Sequence, residues 1–266
     1  MTIRVCLAGA TGWAGSALAR AIAQTDDIVL SAALSRRAAG QSLADVLGEP
    51  RLTCPVYATA AEALTQPCDV FFEYTRPDVA KANVLTALQH GCHVVIGTSG
   101  LSDDDYREID AVATAQQRGV LAAGNFALTA VLLQRFASIA ARYIEQWEII
   151  DYARDSKPDA PSGTARELAA RLGQIRSSHL SVPLEQTQGV PATRGARLNG
   201  MQVHSVRLPG YTIGLEIIFG MPDQRLSIRH DAGASAEPYV AGALLAIRRV
   251  GKLVGLHRGL DSVLEL

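Results

Sequence analysis

Long apolar runs are missing from this chain. No stretch approaches the ~18 residues that a membrane-spanning helix needs, so no membrane partner is expected. Basic blocks are missing too. The 25 Lys+Arg are dispersed among 26 Asp+Glu, for a net charge of −1, which gives nucleic acid no electrostatic footprint. Cysteine is scarce and scattered: Cys6, Cys54, Cys68 and Cys92 form no CxxC pair, and no metal is expected. Thiols so placed suit a reducing compartment, and the cytoplasm is the expected location. The chain enters "MTIRVCLAGATG", which reads as a first strand and not as a leader. Internal repeats and low-complexity segments are also lacking. What is present is 266 residues, 48% hydrophobic and 19% charged, an ordinary globular composition with room for one large or two modest domains.

Short apolar runs alternate with helical patterns through the first half. Residues 4–9, 28–34, 69–75, 93–99 and 119–126 read as strands, and 13–24, 58–65, 77–90 and 102–117 as helices. Near-continuous apolar strands separated by helices predict a parallel sheet covered on both faces. The pattern breaks near Asn125. A helix over 128–145, a strand over 147–153 and a helix over 163–172 follow. Strands at 201–208, 211–220 and 224–233 lie close together with turn residues between them, which predicts antiparallel pairing. A helix at 236–250 ends the pattern.

"GATGWAG" places Gly9, Gly12 and Gly15 directly after the first strand and at the opening of the first helix. The spacing is a variant of the dinucleotide fingerprint. The chain must turn tightly, the backbone must approach a pyrophosphate, and the helix must offer its free N–H groups. Gly9, Ala10, Thr11, Gly12, Trp13, Ala14 and Gly15 are therefore candidate cofactor residues; the competing reading is a plain tight turn. The second strand ends in Ser35, Arg36 and Arg37, where NAD-type sites usually present an acid. Two guanidinium groups and a hydroxyl suit a 2′-phosphate, which favours NADPH with NADH possible. The competing reading there is a solvated basic loop. Three later strand ends carry Thr75, then Gly97, Thr98 and Ser99, then Gly124, Asn125 and Phe126. Ligands of open parallel sheets sit beyond such ends. Each end alone reads as an ordinary turn, and it is their joint placement that points to a nicotinamide-ribose crevice.

"DYARDSKPDAPSGTARELAARL", from Asp151 to Leu172, joins a charged segment to a helix. Pro161 favours an extended Ala160. Ser162 or Thr164 can cap the helix, and Gly163 lets a ligand approach the backbone. The N–H groups of Gly163, Thr164 and Ala165, with the two hydroxyls, predict a pocket for a carboxylate or phosphate. Arg154 and Lys157 add positive charge upstream. On the helix motif alone, a plain N-cap explains the same residues.

"KPDAPSGTA" is similar to the signature of the dihydrodipicolinate reductase family. "GATGWAG", "EYTRP", "VIGTSG" and "GNF" fall in the order and spacing of that family's cofactor segments. The resemblance covers essentially the whole chain. It implies a Rossmann-type dinucleotide-binding domain over 1–126 and 237–266, and a smaller α/β domain with an open mixed sheet over 127–236. The second domain would bind substrate and build a homotetramer. The implied activity is hydride transfer from NAD(P)H to a cyclic unsaturated imino dicarboxylate of lysine and diaminopimelate synthesis.

The departures are specific. The family carries two adjacent histidines just ahead of its lysine, the first a proton donor or acceptor and the second a substrate contact. Here those positions are Ala153 and Arg154, with Lys157 kept. Glu216 stands where the family often has histidine, and "HDAGASAEP" lacks an arginine the family tends to carry. None of the six histidines (His90, His93, His179, His204, His230, His257) falls in the motif. The remaining proton donors are Lys157, Tyr152, Asp151, Asp155 and bound water. Lys157 is the preferred catalytic residue. Arg154 would lower its pKa and Asp151 and Asp155 would oppose that; alternatively Arg154 binds a substrate carboxylate beside Ser162, Gly163 and Thr164. Tyr152 also reads as packing and Asp155 as a loop charge. Three rival functions stay open on the residues alone: a different cyclic imine or enamine acid as substrate, a non-catalytic NADPH-binding protein, and an amino-acid dehydrogenase running oxidatively.

Overall fold

The computed structural model describes residues 2–265. In chain order its strands are β1 Ile3–Ala8, β2 Ile28–Leu34, β3 Val56–Tyr57, β4 Val70–Glu73, β5 His93–Ile96, β6 Gly119–Ala122, β7 Gln146–Ala153, β8 Ala196–Leu198, β9 Met201–Arg207, β10 Ile213–Met221, β11 Gln224–Ala232 and β12 Gly255–Arg258. Its α-helices are α1 Trp13–Ile22, α2 Leu43–Leu47, α3 Ala60–Ala63, α4 Pro77–Gln89, α5 Asp103–Ala115, α6 Leu128–Ala140, α7 Gly163–Gly173 and α8 Glu237–Val250. The chain divides into two compact units: one runs to Leu128 and resumes at Ala236, and the other spans Thr129–Ser235.

The first unit is a seven-stranded sheet in the order β12-β6-β5-β4-β1-β2-β3. Every pairing in it is parallel. The central strands read as unbroken apolar runs because both faces are covered. Phe71, Val94, Val120 and Ile109 are buried in one core together with Val84 and Leu88 of α4. The strands expected over 93–99 and 119–126 stop at Ile96 and Ala122. Gly97 and Ala123 begin the loops that follow, where the chain leaves the ladder. Strands β3 and β12 and helix α2 lie outside the elements the sequence pattern predicts.

The second unit is a five-stranded mixed sheet in the order β11-β10-β7-β9-β8. Strand β7 alternates strictly, with Trp147, Ile149, Asp151 and Ala153 buried. Trp147 and Ile149 pack with Leu133 and Ala137 of α6 and Leu168 and Leu172 of α7. The three C-terminal strands do not form one antiparallel run. β10 and β11 pair that way, but β9 pairs parallel to β7, which separates it from β10. The reason is topological: β7 is paired on both edges, with β10 and with β9, so it takes the centre and displaces the local pairing. Helix α6 ends at Ala140, short of the expected 145, in a tight turn where Tyr143 N–H donates to Ala140 O. Among the described residues no helix is long and apolar enough to cross a membrane.

Candidate functional site

The glycine loop is shaped by sterics that only glycine satisfies. Gly9 has φ +79°, and a Cβ there would lie 2.3 Å from Tyr74 O. A Cβ on Gly15 would lie 2.1 Å from Gly9 O, so α1 can approach the loop this closely only without a side chain. Gly12 is the N-cap of α1 and supplies no side-chain cap, and no acidic residue occupies the first turn. The N–H groups of that turn are left for a ligand, and the helix dipole favours an anion there. Ala10 is fully buried beneath the loop, whereas Trp13 is exposed with its ring edge toward Tyr239. This cradle, which a Cβ would fill, fits a dinucleotide pyrophosphate.

At the end of β2, Ser35 Oγ lies 2.8 Å from Thr11 Oγ1, joining two of the candidate loops. Arg36 and Arg37 are exposed. Among the described residues neither guanidinium has a carboxylate partner.

The ends of β4 and β5 are tied together by a residue the sequence reading missed. Glu73 is fully buried. Its Oε1 accepts from Thr75 N–H (2.6 Å), from the Thr75 hydroxyl and from the Thr98 hydroxyl (3.4 Å); its Oε2 accepts from Asn83 Nδ2 (2.9 Å). Burial pushes the Glu73 carboxyl above its ordinary range, and the hydrogen bonds from Thr75, Asn83 and Thr98 oppose that shift. The signal was a lone acid closing the apolar run "VFFE". Tyr74 packs its ring over Gly97, where a Cβ would lie 2.0 Å from the ring, and stands edge-on to Phe126. Ser99 and Gly124 are exposed, and Asn125 Oδ1 accepts from Ala127 N–H (2.8 Å).

In the second unit, α7 opens with its donors already sorted. Ser162 is the N-cap: its Oγ accepts from Ala165 N–H (3.3 Å), and its own N–H donates to Asp151 Oδ2 (2.8 Å). Ala165 is therefore not one of the free donors the sequence suggested. Gly163 and Thr164 keep N–H groups without a protein partner among the described residues, and the first turn holds no acid. The Ala160–Pro161 peptide is cis.

The charged segment ahead of α7 is arranged differently from the sequence expectation. Lys157 Nζ pairs with Asp159 Oδ1 at 2.6 Å, and that hydrogen bond holds the Asp159 carboxyl below its ordinary range. Asp151 and Asp155 were the carboxylates expected to act on Lys157. Asp151 is instead buried in an ion pair with Arg207, and Asp155 accepts from Ser156 N–H. Arg154 is exposed, and its guanidinium has no partner among the described residues. Ala153 is 1% exposed, so its position offers no room for a ring without repacking. Tyr152 belongs to the other sheet face, stacked on Tyr211 with its hydroxyl donating to Glu216. Among the described residues no three His, Cys, Asp or Glu side chains gather as a metal site. Of the proposed donors, then, Asp151 is buried and Tyr152 lies on the other sheet face, whereas Lys157 is partly open.

Comparison with known proteins covers the full chain. Residues 3–126 match the family model for the N-terminus of dihydrodipicolinate reductase, and residues 129–264 match the model for its C-terminus. A 4-hydroxy-tetrahydrodipicolinate reductase of Geobacillus thermodenitrificans (strain NG80-2) is 37% identical over 266 residues, covering 100% of both chains. That of Moorella thermoacetica (strain ATCC 39073 / JCM 9320) is 38% identical over 265 residues, covering 99% of this chain and 98% of its own. A solved dihydrodipicolinate reductase from Paenisporosarcina sp. TG-14, with dipicolinate bound, superposes with a TM-score of 0.88 at 31% identity, covering 99% of this chain and 100% of that one.

Proposed function

The chain belongs to the dihydrodipicolinate reductase family, and from that premise we propose that it reduces 4-hydroxy-tetrahydrodipicolinate in lysine biosynthesis. It is an oxidoreductase that uses a nicotinamide dinucleotide. Full-length similarity to reductases of one activity removes the need for a different substrate, for a non-catalytic role or for an oxidative direction.

The cofactor, when bound, supplies the hydride. The chain does the rest. The Gly9–Gly15 loop and the α1 N-terminus hold the pyrophosphate. Arg36, Arg37 and the Ser35 hydroxyl favour a 2′-phosphate, so we assign NADPH as the preferred form. Gly163 and Thr164 N–H, with the Thr164 hydroxyl, take one substrate carboxylate. Arg154 takes the second in place of the family's histidine, since a guanidinium fork matches a carboxylate. Lys157 holds the proton that the reduced carbon or nitrogen needs, at Nζ, with Asp159 fixing the direction of that ammonium. The observation that carries this reading is the sorted α7 entrance: two N–H groups left open, at the end of a segment that carries Lys157 and the exposed Arg154. The four cysteines are free, which fits a cytoplasmic enzyme.

The test is cofactor oxidation followed by absorbance with freshly generated 4-hydroxy-tetrahydrodipicolinate, for the parent and Lys157→Ala. Turnover in the parent and a loss of about a hundredfold or more in the variant are expected for a general acid. A variant as fast as the parent would move the proton donor elsewhere. A parent without turnover would sink the substrate assignment.

A further inference from the structure

Strand β9 runs parallel to β7 with Asp151 opposite Ser205 and Ala153 opposite Arg207. Register therefore puts Asp151, Ser205 and Arg207 on one face, the face that α7 covers. Asp151 and Arg207 lie 2.7 Å apart, with side chains 2% and 15% exposed. Their hydrogen bonds reach well beyond each other. Asp151 Oδ2 also accepts from Ser162 N–H (2.8 Å) and the Ser205 hydroxyl (3.4 Å). Arg207 Nη2 also donates to Asp159 O (2.8 Å), and Nη1 donates to Asp151 O (3.2 Å) and Val206 O (2.9 Å).

A buried ion pair is a poor device for stability alone, because desolvation offsets most of the Coulomb gain. Arg207 Nε adds to the cost, being buried without a partner. Two apolar side chains would fill the same space. They would not supply an acceptor for Ser162 N–H or a donor for Asp159 O, the backbone groups at the two ends of the 159–162 segment. Ser162 is the residue from which α7 starts, so its orientation decides where the Gly163 and Thr164 N–H groups point. Asp159 is the residue that holds Lys157.

We propose that Arg207 and Asp151 form a positioning pair that sets the α7 entrance and the Lys157–Asp159 contact in one geometry for substrate. This rests on reading that entrance as the substrate carboxylate site. Neither residue touches substrate: Arg207 acts through Asp159 and through Asp151, and Asp151 acts through Ser162.

The test uses the full-length protein and Arg207→Met, Arg207→Lys and Asp151→Asn. For each, melting temperature, NADPH affinity, dipicolinate affinity by calorimetry, and kcat and KM are measured. Arg207→Met is expected to weaken dipicolinate binding by about tenfold or more, raise the substrate KM and lower kcat. NADPH affinity should stay within about twofold, because that site is built by other strands. Arg207→Lys keeps the charge, but one ammonium cannot replace both Nη2, which serves Asp151 Oδ2 and Asp159 O, and Nη1, which serves Asp151 O and Val206 O, so it should rescue the melting temperature more than dipicolinate binding. If Arg207→Met does not fold, the Lys and Asn variants decide by the same split. Folded variants that bind dipicolinate like the parent, or that lose dipicolinate and NADPH binding in step with melting temperature, would reduce the pair to a brace and overturn the proposal. A parent that binds no dipicolinate would instead overturn the reading of the entrance, and the pair's role falls with it.

Discussion

A few side chains set the chemistry of each unit. Glu73 is the clearest case in the first unit, because it alone links Thr75, Thr98 and Asn83. Its carboxyl is pushed up by burial. A raised acid favours the protonated form in the fold; its contribution is full below the unfolded value of about 4.3 and is lost as pH rises through the folded value. Glu73→Gln mimics the protonated acid. The melting-temperature difference between that variant and the parent should therefore grow in favour of the variant from about pH 4 to pH 8. Parallel melting curves across that range would show that Glu73 does not titrate there. At the end of β2 the matching question is selectivity. Replacing Arg36 and Arg37 together by alanine should lower NADPH affinity by about tenfold or more, with NADH nearly unchanged, since charge-assisted hydrogen bonds are worth roughly 1.5–3 kcal/mol each. Equal loss for both cofactors would assign the pair to some other task. Both measurements are direct titrations of binding or melting and need no turnover.

Elements carry what single residues cannot. Helix α1 comes down onto the Gly9 turn because Gly15 carries no side chain, and at α7 Ser162 Oγ and Asp151 take the Ala165 and Ser162 N–H groups; the anion sites we propose at both helices rest on these contacts. Gly15→Ala forces a methyl to within 2.1 Å of Gly9 O. The helix must lift, with an expected cost of about 1–3 kcal/mol and a loss of cofactor affinity. Gly251→Ala, at the C-cap of α8 with right-handed helical backbone and only His93 at 3.9 Å from the added carbon, is the matched control and should leave both unchanged. Similar effects of the two substitutions in thermal melts and cofactor titrations would contradict the steric account. Strand β7 shows how one element splits two tasks by alternation. Asp151 and Ala153 face the helices, while Glu148, Ile150 and Tyr152 face the other way. On that second face Glu148 pairs with His204 and Arg194, and Arg229 lies over the Tyr152 ring.

At the scale of the molecule, each unit has its own apolar core. Helices α6 and α7 pack in the core of the five-stranded sheet, and we propose that its other face makes contacts between copies of the chain, in a homotetramer. Light scattering at micromolar concentration should then give a mass of four chains. A reversal of charge at Arg229, which joins Glu216, Asp231 and Tyr152 on that face, should lower it. A monomeric parent would remove the assignment, and an unchanged mass in the variant would place the interface elsewhere.

The sequence by itself determined the parallel sheet, the glycine loop, the strand-end threonines and the α7 entrance. Each rests on local rules: apolar runs, a helix period, glycine where a Cβ cannot fit, and a serine cap. The resemblance to a reductase family came from motifs of the same local kind, as did the expectation that Ala153 and Arg154 replace a histidine pair. Only the tertiary structure decided the partners. Asp151 looked like a neighbour of Lys157, yet pairing of β7 with β9 gives it Arg207 instead. Lys157 takes Asp159, two residues along, and not Asp151 or Asp155. Glu73 looked like one more residue of a strand until Thr98, 25 positions on, was brought to it. The C-terminal strands looked like a simple meander until β7 took the centre. Charges and hydrogen bonds act over a few ångströms in space, and a sequence records only which residues are close along the chain.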